Sequence, residues 1–455
     1  MKTCIKTSKL LLLVILIAFN ACKPKENSNK YLGVEVSKIE TELNSLLNCY
    51  YPRVIDTING GFYTNFEYNW KLSDNQEKML VTQSRYIWTA SIASSIFPEN
   101  KIFRSAADHG YQFLTQKMWD KKRGGFFLYY HSNIDSIEKQ EYKLVYGNAF
   151  ALYALAEYAK INKSKEVIDW INKTLEWMEN NAHDSVFKGY HNLILAKKEK
   201  HPKQEANEMI KRAGWGDPSG KDQNSSIHIL EALTNVYQVM PTENVKQRLS
   251  EMLHLVRDTM VTKDGYLNLY FKKDWTAISN RDSSEKYIRA NIFADHISFG
   301  HNIETAYLII DASKTLYGKP DSASLSIAKK LVDHTLENGF DKDYYGLLDK
   351  GYLFKGKSKI EIVDSTKVWW SQAEALHSLA LMSSYYPNES KYKDAFYKMW
   401  QYIEKEMIDH ENGGWYASGI DKTPSSKLAP KAHAWKGNYH DGRALMMIYE
   451  YSKKN

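Results

Sequence analysis

Cysteine is scarce in the 455-residue chain: there are three, Cys4, Cys22 and Cys49. Cys4 lies in a basic leader and Cys22 in a setting described below, so no intramolecular disulfide framework is available. Proline (10) and glycine (23) are both below average usage, and a chain with so few breakers is expected to be mostly helical. Nowhere are 18 consecutive residues apolar, which excludes an ordinary membrane-spanning helix. The formal charge is only +7 and is dispersed, which argues against a nucleic-acid surface. Apolar residues at 43% and charged residues at 25% exclude disorder and fibrous repeats. Aromatics, in contrast, are plentiful, with 12 Trp, 32 Tyr and 16 Phe. Either the interior is unusually rich in rings or a cavity is lined with them.

The N-terminus reads as an export signal. Residues 1–9 (MKTCIKTSK) are basic and residues 10–19 are apolar, too short a run to span a bilayer comfortably. Phe19-Asn20-Ala21-Cys22 resembles a bacterial lipobox, and KPKENSNK follows as a polar tether. The expectation is a signal peptide over 1–21, lipidation of Cys22, a tether over 22–30, and an exported lipoprotein held to a membrane facing the periplasm. Removal of Lys2, Lys6 and Lys9 leaves about +4.

A loop pairing glycine with an aromatic recurs through the body. It appears as Gly60-Gly61-Phe62, Gly124-Gly125-Phe126, Gly189-Tyr190, Gly265-Tyr266, Tyr345-Gly346 and Gly413-Gly414-Trp415. Gly61 and Gly414 are separated by five intervals of about 71 residues, and six such repeats fill the chain after the leader. Apolar spacings of three and four predict two helices between consecutive loops: 80–97 with 101–118, 143–160 with 164–181, 219–239 with 242–261, 300–317 with 322–338, and 367–385 with 389–408. Segments 31–50 and 437–453 make the sixth pair and join the ends of the chain. Twelve helices in six hairpins over 31–455 predict an all-α closed toroid, an (α/α)6 barrel. An open solenoid has the same period and is the alternative.

The first helix after each loop carries polar and aromatic residues that a plain core would not choose. These are Arg85 and Trp88; Tyr146 and Asn148; Lys221, Asn224, His228 and Glu231; His301 and Glu304; Trp369, Trp370, Gln372 and Glu374; and Trp435 and His440. If these helices line the barrel, the positions converge at one mouth. Single residues of this kind are more often structural: a histidine in an apolar helix, a Trp pair that packs, or Arg85 in an ion pair. The same displacement in six repeats indicates a shared site. His296, His301 and Glu304 lie close in sequence, but His301-x-x-Glu304 is not HExxH and no second ligand pair follows, so no metal and no cofactor are expected.

The segments KDQNSSIHILEA (221–232), SFGHNIETAYLI (298–309), KVWWSQAEAL (367–376) and WKGNYHDGRA (435–444) resemble the N-acylglucosamine 2-epimerase superfamily, most of all its cellobiose and mannobiose 2-epimerase branch. The resemblance implies an (α/α)6 barrel and cofactor-free inversion at C2 of a reducing-end sugar through an enediolate. It implies His301 and His440 as the acid/base pair, reaching the sugar from different sides of the barrel, with His228 assisting ring opening. Glu304 would orient His301 and raise its basicity; Arg85, Tyr146 and Asn224 would contact the reacting sugar. Trp370 and Trp435, with Trp369 beside them, would stack on sugar faces, and Glu374 would hydrogen-bond nearby groups. The expected partner is a β-linked disaccharide or oligosaccharide, bound by a monomer. An aldose–ketose isomerase or N-acylglucosamine 2-epimerase of the same superfamily is the nearest alternative. A glycosidase would need two carboxylates flanking the bond, and a non-catalytic glycan-binding lipoprotein would not need three histidines. Three departures bear on the substrate: Lys188-Gly189-Tyr190 has one glycine where a pair is usual, Asn302 stands in place of an acid, and 193–218 departs from the usual loop.

Overall fold

The structure, a computed structural model, describes residues 29–130, 142–195, 204–213 and 218–454. The expected signal peptide, Cys22 and most of the expected tether lie outside the described residues. Twelve long helices follow in chain order. The first is α1 (Val36–Tyr50), and α2 (Leu80–Ile96) with α3 (Lys101–Phe113) comes next. Then come α4 (Val145–Ile161) with α5 (Lys165–Asn181), and α6 (Gln223–Val239) with α7 (Glu243–His254). The series ends with α8 (Phe299–Tyr317) and α9 (Ser322–Asn338), α10 (Trp369–Tyr385) and α11 (Ser390–Tyr402), and α12 (His440–Lys454). Three outer helices run on into a wide turn of π type, at Leu114–Met118, Leu255–Met260 and Ile403–Met407. The predicted spans to 118, 261 and 408 therefore match the helical path.

The even-numbered helices form the inner ring and the odd-numbered ones the outer. Composition dictates which is which. In α5 the buried residues Val167, Ile171, Thr174, Trp177 and Met178 form one stripe, so its other face meets water. In α4 every residue from Val145 to Ala159 is buried, as a helix packed on all sides requires. Each inner helix packs on the next, and α12 packs on both α1 and α2. Arg85 Nη1 donates to the Trp435 carbonyl at 3.3 Å, and the Thr82 hydroxyl donates to that of Ala434. The ring is closed, and the chain is an (α/α)6 barrel rather than an open solenoid.

The glycine–aromatic loops are clamped by a repeated device. In five of the six loops the opening aspartate takes the ammonium of a lysine that precedes an inner helix. The pairs are Lys78–Asp56 (2.7 Å), Lys143–Asp120 (2.6 Å), Lys221–Asp184 (2.9 Å), Lys367–Asp341 (3.0 Å) and Lys431–Asp409 (2.5 Å). An amide side chain one turn into the helix grips the same loop: Gln83 holds Phe62, Asn148 holds Phe126 and Gln372 holds Leu347. Asn302 does this for Leu267 (3.0 Å), so it is buried behind the loop rather than facing a ligand. In the fourth repeat both charges are replaced together, by Thr262 and Ile297. Gly124 and Gly125 both sit at φ +69°, and a Cβ on Gly125 would lie 2.4 Å from the Trp177 indole. In the third loop Lys188 takes the left-handed conformation (φ +66°) that the missing glycine would supply.

Short ribbons of two to four residues precede the inner helices, such as Lys221–Asp222 paired with Tyr270–Phe271. The fourth is a three-stranded sheet of Ile297–Ser298, Lys350–Tyr352 and Glu361–Asp364. Within 193–218, the region that departs from the usual family loop, Gln204–Ala213 is a helix. Among the described residues no helix is long and apolar enough to cross a membrane.

Candidate active site

The first turns of the six inner helices converge at one mouth. A cavity of about 190 Å³ is lined there by Arg85, Tyr146, Asn224, His228, His301, Glu304, Trp369, Trp370, Trp435 and His440. Every residue to which the family resemblance gives a role in the site is present except Glu374, which stands immediately behind His440. Of the other polar and aromatic residues on these helices, Asn148, Lys221 and Gln372 clamp the loops and Glu231 stands behind His228. Tyr146, Asn224, His301, Trp370 and Trp435 also border a wider cavity of about 550 Å³ that reaches Asn192, His296, Asp349 and Lys350. The inner cavity thus opens into an outer one. Trp435 is 47% exposed at the rim.

Each histidine is held at Nδ1. His440 meets Glu374 Oε1 at 2.5 Å and His228 meets Glu231 Oε2 at 2.8 Å. Burial works against ionisation of Glu374, but the Arg443 charge and the His440 hydrogen bond outweigh it and hold the carboxyl below its ordinary range. Glu231 is held low by the same balance, with Arg443 and His228 opposing burial. An ionised carboxylate only accepts, so Nδ1–H donates in both pairs and Nε2 is left with its lone pair. Burial pushes His440 down to about 3 and His228 in the same direction. Both rings are neutral at ordinary pH.

His301 is oriented differently from expectation. Its Nδ1 lies 2.8 Å from the hydroxyl of Ser298, the N-cap of α8, and Glu304 does not reach it. The ring turns back along the helix toward the cap, whereas Glu304, one turn on, points to the barrel axis and accepts from Arg443 Nη2 at 3.0 Å. Burial, followed by the neighbouring histidines, lowers His301 to about 3. A Cβ at Gly300 would stand 2.5 Å from the Trp370 ring. Glycine there lets the start of α8 approach α10 and sets His301 against Trp370, with ring centroids 4.7 Å apart. His440 lies 5.9 Å from the same indole. The two histidines therefore flank α10 as next-but-one neighbours in the ring, rather than standing on different sides of the barrel, with Trp370 between them.

Arg443 is the residue that the sequence reading missed. It sits one turn after His440, is 2% exposed, and donates to Glu231, to Tyr439 and, at 2.7 and 3.0 Å, to Glu374 and Glu304. Burial and the charge of Glu374 push Glu304 well above the ordinary carboxyl range, so Glu304 carries the proton and Glu374 the charge. Ligand atoms of Glu304, Glu374 and His440 lie within 4.8 Å of one another, a spacing that could suit a metal. Arg443 Nη2 bonds to both carboxylates and supplies the positive charge between them. Arg85 donates to the Tyr146 hydroxyl at 3.1 Å, and its guanidinium lies 4.4 Å from the centre of the Phe150 ring. Trp88 is not at this site: it stacks on Tyr153 (5.2 Å) and faces the other end of the barrel.

The fold and this histidine cluster belong together in one class. Residues 61–442 match the family model of N-acylglucosamine 2-epimerase, and the chain belongs to that family. It is an isomerase, a sugar 2-epimerase. Cellobiose 2-epimerase of Dictyoglomus turgidum is 27% identical over 424 residues, covering 92% of this chain and 98% of the relative. The solved cellobiose 2-epimerase of Bacillus thermoamylovorans superposes with a TM-score of 0.77 at 25% identity, covering 91% of this chain and 99% of that one. A D-mannose isomerase superposes with a TM-score of 0.76 at 21% identity over 91% of this chain and 98% of its own, a likeness of fold alone.

Proposed function

We propose that this chain inverts C2 of the reducing-end sugar of a β-linked disaccharide of the cellobiose or mannobiose type. The observation that carries the reading is the histidine cluster, three neutral imidazoles around a small cavity that opens into a larger one. The inner cavity takes the reacting sugar and the outer one its neighbour. His228, with its bare Nε2, takes the C1 hydroxyl proton as the ring opens and passes it to the ring oxygen, returning to the neutral state. One of His301 and His440 then removes the C2 proton and becomes an imidazolium. The enediolate is stabilised by the donors around it. Its negative charge draws a solvent proton onto the other histidine, which passes it to the opposite face of C2, while the first histidine releases its own proton to solvent. Glu374 stabilises the charge on His440. Trp370 and Trp435 offer faces to the sugar rings.

Cellobiose and mannobiose incubated in heavy water and followed by proton NMR test this. The expected product is the C2 epimer with deuterium at C2. A ketose labelled at C1 would instead assign an aldose–ketose isomerase, and no exchange with either sugar would remove the reading.

The basic leader and the lipobox-like Phe19–Cys22 segment support a second proposal: residues 1–21 are removed and Cys22 is acylated. A single acyl chain anchors weakly and several anchor stably. Replacing Cys22 with Ser should move the protein to the soluble fraction; a variant still held at the membrane would refute the anchor.

A further inference from the structure

The later turns of the same six inner helices enclose a second cavity at the opposite mouth, about 180 Å³ in volume. That nearly equals the 190 Å³ of the inner catalytic cavity. Three of its buried lining groups have no hydrogen-bond partner among the described residues: Trp88 Nε1, Arg443 Nε and His377 Nδ1. Their side chains are 3%, 2% and 2% exposed. A buried donor without an acceptor is destabilising, so the Trp88 and Arg443 N–H groups call for something that brings acceptor oxygens, while His377 Nδ1 donates or accepts according to its tautomer.

The remaining wall narrows the class. Glu157, Glu231 and Asp311 border the space and disfavour an anion; Lys160 and Arg443 disfavour a cation. The carboxylates accept from hydroxyls, and the Trp88 and Arg443 N–H groups donate to them. The indole of Trp88, stacked on Tyr153 at 5.2 Å, forms part of the wall. The geometry points to a second binding site for a neutral polyhydroxylated ring the size of one monosaccharide, at the mouth opposite the catalytic cavity. Arg443 and Glu231 form the partition: they border the far cavity and hold His228 and Glu374 on the near side. A ring bound there touches the groups that set up the histidines.

The test uses methyl β-D-glucopyranoside, which cannot open its ring and is not turned over, titrated calorimetrically into the whole protein. A Trp370→Ala background weakens the catalytic cavity. In that background binding should persist. It should disappear when Thr234→Phe fills the far cavity, and weaken roughly fivefold or more with Trp88→Phe, which keeps the ring and removes one donor. Binding lost entirely with Trp370→Ala alone, or indifferent to both far-cavity variants, would leave that cavity holding water only and overturn the assignment. Turnover of cellobiose is measured separately, so failure of the epimerase reading would not decide this one.

Discussion

Glu374 Oε1 is shared: it lies 2.5 Å from His440 Nδ1 and 2.7 Å from Arg443 Nη2. One carboxylate oxygen therefore fixes the tautomer of a histidine in the site and takes the charge of a buried arginine. Replacing His440 with Asn should lower turnover by about 10²- to 10⁴-fold with the fold retained. Glu374→Gln should cost less, on the order of 10- to 100-fold, because the imidazole survives but its imidazolium loses a stabilising charge. Steady-state kinetics beside circular dichroism would check both, and near wild-type rates in His440→Asn would remove it from the acid/base pair.

Arg443→Met should be among the most damaging single substitutions. It leaves Glu231, Glu304 and Glu374 buried around an uncharged side chain, and breaking a buried pair in this way costs about 3–5 kcal/mol. Glu304→Gln should shift stability by only about 1 kcal/mol, since that carboxyl already holds its proton. Chemical denaturation measures both. Equal losses would mean that the charge in the network is not divided as described.

Burial lowers His301, His440 and His377 to about 3, and His296 and His433 to about 4. In the unfolded chain the same groups take up protons near 6.5. Between those limits the unfolded state binds more protons, so the stability these rings contribute is complete above pH 6.5 and is lost as pH falls toward 3–4. The thermal unfolding midpoint should fall across that window, and the acid limb of kcat/KM should lie below pH 6.5. A midpoint independent of pH between 6.5 and 4 would contradict the neutral burial of these histidines.

The loop clamps invite a double-mutant cycle. Asp120→Thr alone strands the Lys143 ammonium, which burial has already pushed down to about 8, and should cost about 3–5 kcal/mol. Adding Lys143→Ile reproduces what the fourth repeat does with Thr262 and Ile297. The double variant should be less damaging than the sum of the singles by roughly 0.5–3 kcal/mol, read from urea unfolding. Strict additivity would show that the pair is not coupled.

The fold was legible because its period is local. Left-handed positions recur about every 71 residues, and helical spacing fills the intervals. The three histidines, Arg85, Tyr146 and the Trp pair were legible because each departs from an apolar helix at the same place in its repeat. Arg443 was not, although it stands in the quoted WKGNYHDGRA segment. Its carboxylate partners Glu231, Glu304 and Glu374 come from three other helices, so no local pattern marks it. The family resemblance gives Glu304 to His301, but the N-cap hydroxyl of Ser298, three residues earlier, is the nearer partner for Nδ1. Trp88 shares a face with Arg85, yet one further turn carries it past the barrel's middle. The ribbons at the mouth escaped notice because two residues are too few to show alternation.

The last inner helix begins at His440 and closes the ring against the first. An open array can gain or lose a unit at either end; a ring offers no spare end. During synthesis the barrel remains a gapped arc until the final fifteen residues of helix have emerged, and they bring one of the three histidines with them. A nonsense codon anywhere before residue 440 therefore yields a chain that is both unclosed and short of one of the three histidines of the cavity.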